Sequence, residues 1–160
     1  MAKPVPGANP KKQLDSFLAK YNPEIASLAR RALLKMRKRL PGSLEMVYDN
    51  YSALVIGFVP NERPSDAIFS IVLYPDHVSL CFLQGAAIPD PKHRLLGSGH
   101  VARHVRLQSS TTLDDPEIVS LMNAALHRAK VPLDPRLPRR LIIKSISAKQ
   151  RPRRACKTPG

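Results

Sequence analysis

The chain has 160 residues, with 26 lysines and arginines against 12 acidic residues and a formal charge of +14, a balance that favours polyanionic partners. A hydrophobic content of 43% and a charged content of 24% fit a globular domain able to bury a core, and no apolar run approaches the ~20 residues of a membrane span. Two cysteines, Cys81 and Cys156, exclude a disulfide framework and fit free thiols, with Cys81 expected as a small core residue.

Met1 to Pro10 is rich in proline with little to bury, and reads as a disordered leader. It lacks an apolar stretch, so no secretory signal is expected and the location is expected to be cytoplasmic. From Lys11, the apolar residues Leu14, Phe17, Leu18 and Tyr21 recur at helical spacing and predict a short helix closing at Asn22-Pro23. Asn22-Pro23-Glu24 then reads as cap, first helical position and acidic first turn of a second helix. Its apolar face runs from Ile25 to Leu40, its other face is basic, and Pro41-Gly42 stops it.

After Gly42 the hydrophobic period changes. Leu44–Tyr48, Ala53–Val59, Ala67–Tyr74, Val78–Leu83 and Val101–Leu107 predict five strands, and Pro75-Asp76 predicts a tight antiparallel turn. Apolar residues on both sides of the third and fourth strands suggest a sheet partly covered on both faces. Asp114-Asp115-Pro116-Glu117 starts a third helix ending near Ala129. Residues 131–160 carry nine basic residues against Asp134 alone, a net +8 of the total +14. This Pro/Arg-rich tail reads as disordered, except that Leu141-Ile142-Ile143 suits an edge strand or an induced contact. The expected organisation is a leader to residue 10, an α+β domain from 11 to 130 with helices packed on one antiparallel sheet of about five strands, and a basic tail.

The stretch Leu95-Leu96-Gly97-Ser98-Gly99 followed by Arg103-His104-Val105-Arg106-Leu107 places a glycine turn before basic residues, which permits an anion cradle. Strand alternation puts Arg103 and Val105 on one face and His104 and Arg106 on the other. The Gly-x-Gly turn completes neither a nucleotide-binding nor a dinucleotide-binding fingerprint, and Ser98 is not in a nucleophile elbow. His100 and His104, in a turn plus strand, lie roughly 13 Å apart, too far for one metal. No catalytic constellation, metal site or cofactor is read from the residues.

Glu45-Met46-Val47-Tyr48, Ser52-Ala53-Leu54, His77-Val78-Ser79-Leu80-Cys81-Phe82, Gly85-Ala86-Ala87, the Gly97 turn, Arg103–Leu107 and Asp115-Pro116-Glu117 follow one another in an order and spacing that resemble the YdhG-like domains, family 1801 of unknown function. The resemblance spans Lys20 to Ala129. It implies a two-layer domain, distantly frataxin-like in outline, and one relative described as a frataxin-like iron chaperone implies a metal-carrying role.

The expected function is a non-enzymatic binding module for a small anionic ligand or a protein partner. Its cleft would be bounded by Tyr48, Gly97, Gly99, Arg103 and Arg106. The alternative is a protein that binds nucleic acid without sequence preference, through the helix residues Arg30, Arg31, Arg37 and Lys38 and the tail residues Arg139, Arg140, Lys149, Arg151, Arg153 and Arg154. Few aromatics accompany these cations, so stacking platforms are not expected.

Overall fold

The computed structural model describes residues 9–154. Helix α1, Pro10–Ala19, starts one residue earlier than its apolar spacing indicates, because the Asn9 side chain accepts hydrogen bonds from the Lys11 and Lys12 N–H groups. Helix α2, Pro23–Arg39, has no such side-chain cap. Asn22 opens it through its backbone carbonyl, which accepts from the Ala26 N–H at 2.9 Å. Its buried row of Ala26, Ala29, Ala32, Leu33 and Met36 packs it on the sheet. At its end Gly42 adopts φ +82°, and a Cβ there would stand 1.9 Å from the Asp134 carbonyl oxygen. Only glycine satisfies both the turn and this close crossing.

The strands are β1 (Leu44–Asp49), β2 (Leu54–Val59), β3 (Phe69–Tyr74), β4 (His77–Phe82), β5 (Arg103–Leu107) and β6 (Arg140–Ile146), and helix α3 (Pro116–Arg128) lies between the last two. They form one sheet in the order β5-β4-β3-β2-β1-β6. The first five make the antiparallel meander read from the sequence. β6 adds a sixth strand parallel to β1, with a register shift beside Val47, so the sheet is mixed. The class is α+β.

Alternation divides the sheet cleanly. Ile56, Phe58, Ile71, Leu73, Leu80 and Phe82 are buried with the helices in one core. On the other face Leu44, Met46 and Val59 make a smaller cluster, joined by Tyr48, Ala67 and Ile142. Cys81 is on this second face and is not a core residue. It lines a shallow depression with His77 and His104, and burial pushes its thiol pKa up.

The tail expected to be disordered is structured through residue 154, whereas Cys156 lies outside the described residues, as do Met1 to Ala8 of the leader. β6 supplies a backbone partner for the edge of β1, and Ile143 joins the main core. Beyond it the chain folds back over the end of β1. The Ser147 N–H donates to the Asp49 carbonyl at 2.8 Å, and the Arg151 N–H donates to the Tyr51 carbonyl at 2.8 Å. Arg153 then reaches into the molecule, where its Nη2 donates to Asp49 Oδ1 at 2.9 Å, with the side chains 4% and 1% exposed. Lys20 Nζ sits 3.3 Å from the other carboxylate oxygen.

Composition misjudged this segment because the charge that orders Arg153 lies 104 residues away. Tyr21, beneath the Arg153 guanidinium, donates to the Leu73 carbonyl at 3.1 Å and accepts from the Leu54 N–H at 3.2 Å. Burial outweighs the neighbouring Arg153 charge and pushes this phenol up to about 12.

Two outcomes test this arrangement. Arg153→Ala leaves the buried Asp49 carboxylate short of its main partner and is expected to lower stability by about 3–5 kcal/mol, whereas Arg151→Ala, which removes an exposed cation–π contact with Tyr51, costs about 0.5–1 kcal/mol. Urea unfolding measures both. For Tyr21, the folded state keeps a proton that the unfolded chain releases near 10.0. Its contribution is therefore intact below about pH 10 and is lost as pH rises through 12, a slope that Tyr21→Phe should reduce when unfolding is followed across that window.

Candidate anion-binding groove

Tyr48 and the β5 arginines do not share a cleft. β1 and β5 are four strand positions apart, about 19 Å at ~4.8 Å per strand. The Tyr48 side chain lies against Met46 on the face away from the helices, and burial raises its phenol pKa. Glu45, on the helix side, is 2% exposed and accepts a two-pronged bond from Arg37, with contacts at 3.0 and 2.9 Å.

The glycine turn encloses its own arginine. Leu96 and His104 exchange backbone hydrogen bonds of 2.8 and 2.9 Å, which fold the turn back on β5. Gly97, at φ +119°, permits the reversal, while Gly99 has open space where a side chain would stand. Arg103 fills the turn and donates to the Gly99 and Ala102 carbonyl oxygens. The loop thus presents acceptors to a cation, the opposite polarity from a phosphate site. Arg103 also passes close to Gly85, where a Cβ would meet its own Cβ at 2.6 Å. Its alternation with Arg106 is as read: Val105 and Leu107 face the core, and Arg106 is exposed.

Arg106 belongs to a different site. The N-terminal half of α2 passes the end of β5 and leaves a groove of about 780 Å³, lined by Arg31, His77, Arg106, Gln108, Ser109 and Ser110 among others. It continues into a polar hollow of about 330 Å³ that shares Arg106, Gln108 and Ser109 and adds Arg94, Thr111 and Thr112. The groove lies beside the β3–β4 turn because Val78 pairs with Leu107. The structure therefore joins Arg31, read as part of a nucleic-acid surface, to Arg106, read as part of a ligand cleft.

The carboxylates of the groove are mostly engaged. Asp76 is 2.6 Å from His77 Nδ1, and that hydrogen bond holds its pKa low, with a smaller contribution from the Arg106 charge. Asp115 accepts from the Glu117 N–H at the start of α3 and from Arg94 at 2.9 Å, and both contacts lower its pKa. Arg94 also donates to Glu117. Glu24 lies in the first turn of α2, where it complements the helix dipole. Arg31 and Arg106 have no hydrogen-bonded or ion-paired partner among the described residues. The run Ser109-Ser110-Thr111-Thr112, which follows a strand whose penultimate residue is Arg106, was the available sequence signal for this site and went unread.

The remaining candidates divide. Arg30 and Lys38 are exposed on α2, and Arg139 and Lys149 are exposed in the C-terminal segment. Arg140 pairs with Glu62, Arg154 donates to the Lys20 carbonyl, and Arg151 lies over Tyr51. Arg37 is held by Glu45 and Arg153 by Asp49, so neither is free for phosphates. Among the described residues, no three His, Cys, Asp or Glu side chains gather in a way that would hold a metal ion. Compared with known proteins, the chain matches no family model, no curated protein and no solved structure.

If Arg103 is a clamp on its own turn, Arg103→Ala should speed amide exchange at Leu96 and His104. One to two hydrogen bonds at about 1 kcal/mol each correspond to roughly five- to thirtyfold. Exchange at Ile71 and Leu80, paired in the sheet interior, should be unchanged.

Proposed function

We propose that the protein is a non-enzymatic binding module that holds a small phosphate-bearing ligand in the groove between α2 and the end of β5. The observation that carries this reading is that Arg31 and Arg106, exposed and without partners among the described residues, line one groove together with serine and threonine hydroxyls. Guanidinium forks match phosphate oxygens in pairs, and hydroxyls complete the oxygen shell without adding charge. The reading of the chain as a YdhG-like domain is likewise a proposal. It rests on the motif order and is compatible with helices on one face of a mostly antiparallel sheet.

A second reading, association with nucleic acid without sequence preference, draws support from the charge distribution. Among the twelve acidic residues, Asp15 and Glu24 alone lack a hydrogen-bonded or ion-paired partner within the described residues. The surplus cations Arg30, Lys38, Arg139 and Lys149 are therefore not neutralised locally, and such a surface binds phosphates by releasing counterions.

Calorimetric titration with inorganic pyrophosphate separates the two. Under the groove reading, Arg31→Ala with Arg106→Ala weakens pyrophosphate binding tenfold or more, since hydrogen bonds to charged groups contribute about 1.5–3 kcal/mol each, while Arg30→Ala with Lys38→Ala leaves it unchanged. Equal losses in the two double variants, accompanied by salt-sensitive binding of single-stranded RNA, would favour the second reading. An unaltered pyrophosphate affinity in the Arg31/Arg106 variant would refute the first.

A further inference from the structure

We propose a second ligand site, at the opposite end of β4 from the groove, that takes an amphipathic carboxylate: an apolar chain ending in a carboxylate group. The site is a cavity of about 340 Å³ between the last turn of α3 and the loops around Ile68 and Ile88. This is at the lower end of the range of small-molecule pockets, roughly 300–1,000 Å³.

Its floor is apolar and nearly closed to solvent, with Ile68, Ile88 and Ala125 only 7%, 6% and 8% exposed. The space exists because the side chains facing it are short. Ala67, Ala87 and Ala129 stand where longer residues would fill the gap between sheet end and helix. Two cations, Arg128 and Lys130, line the mouth of the same cavity. Both are exposed, and neither has a hydrogen-bonded or ion-paired partner among the described residues.

The acid at this cavity, Asp66, is committed elsewhere. It accepts from Asn61 Nδ2 at 3.0 Å and lies 3.8 Å from Arg63. A cation at the end of α3 also complements the helix dipole, which explains Arg128 in isolation. It does not explain an apolar cavity directly beneath two unpaired cations.

The arrangement selects its occupant by chemistry. Ser65 and Gln84 also line the cavity, but a sugar phosphate or a nucleotide would lose hydration against Ile68, Ile88 and the alanines, whose side chains offer no hydrogen bonds. An alkyl chain has no polar groups to desolvate on entering, and its carboxylate end is left at the mouth beside Arg128 and Lys130. Each methylene buried is worth about a factor of four in affinity.

The test is calorimetric titration of the full chain with butanoate, hexanoate, octanoate and 1-octanol. Saturable octanoate binding is expected, tightening with chain length and exceeding that of the uncharged 1-octanol. Arg128→Ala with Lys130→Ala should weaken octanoate at least fivefold and leave 1-octanol unchanged. Ala129→Phe, which fills the cavity, should abolish both, with folding checked by circular dichroism. Arg106→Ala, at the other end of the sheet, should change neither, so this result stands or falls separately from the pyrophosphate experiment. Absence of saturable octanoate binding overturns the proposal. So does an octanoate affinity indifferent to the Arg128/Lys130 exchange, or a loss produced by Arg106→Ala. The two exposed cations can be removed without disturbing the core, so the charge arm decides even where Ala129→Phe fails to fold.

Discussion

A carboxylate buried at the end of β1 determines how the rest of the chain closes. Asp49 is 1% exposed on the helix-covered side of the sheet, in a position that would be strongly unfavourable without compensating charge. Compensation comes from both directions in sequence: Lys20, following α1, and Arg153, from the far C-terminal segment. Meeting that requirement draws residues 147–154 across the end of β1 and places Arg153 over the ring of Tyr21. β6, parallel to β1, then becomes an integral edge of the sheet. The same interaction thus joins α1, β1 and the C-terminus.

This closure sorts the excess positive charge. Lys35 and Arg39 are tied to Asp114, Arg37 to Glu45, Arg94 to Asp115 and Glu117, and Arg103 to carbonyls of its own turn. Arg153 is internal. Among the described residues, those left without partners include Arg31 and Arg106 at one end of the sheet, Arg128 and Lys130 at the other, and cations on α1, on α2, in the loop at Lys92 and in the C-terminal segment. Net charge therefore says little about function in this protein until the internal ion pairs are subtracted. The two ends differ in chemistry, hydroxyl-lined in one case and alkyl-lined in the other.

Much of the fold was legible in local pattern. The proline and glycine punctuation set the ends of α2 and the start of α3 to within a few residues, and short apolar segments between turn residues located five strands. The separation of Arg103 from Arg106 was legible too, because period two leaves no choice. The polarity of the glycine turn was not legible, because its composition is shared by anion cradles and by turns that wrap a cation. Which of these forms depends on whether N–H or C=O groups point inward, and residue types do not specify that. Tyr48 was misplaced because strand order, unlike strand existence, depends on non-local pairing.

The sequence by itself determined the helices, the antiparallel meander, the α+β class and the alternating faces of each strand, since all of these follow from short-range periodicity, capping and turn chemistry. Only the tertiary structure decided the sixth strand, the burial of Arg153, the imprisonment of Arg103 and the meeting of Arg31 with Arg106. The sixth strand and Arg153 depend on an unpaired backbone edge and a charge many residues away, whose stabilisation appears only when the chain has brought the partners together. Arg31 and Arg106 meet only where distant elements come to line one groove, and Arg103 is held by carbonyls of its own turn, whose inward direction residue types do not specify.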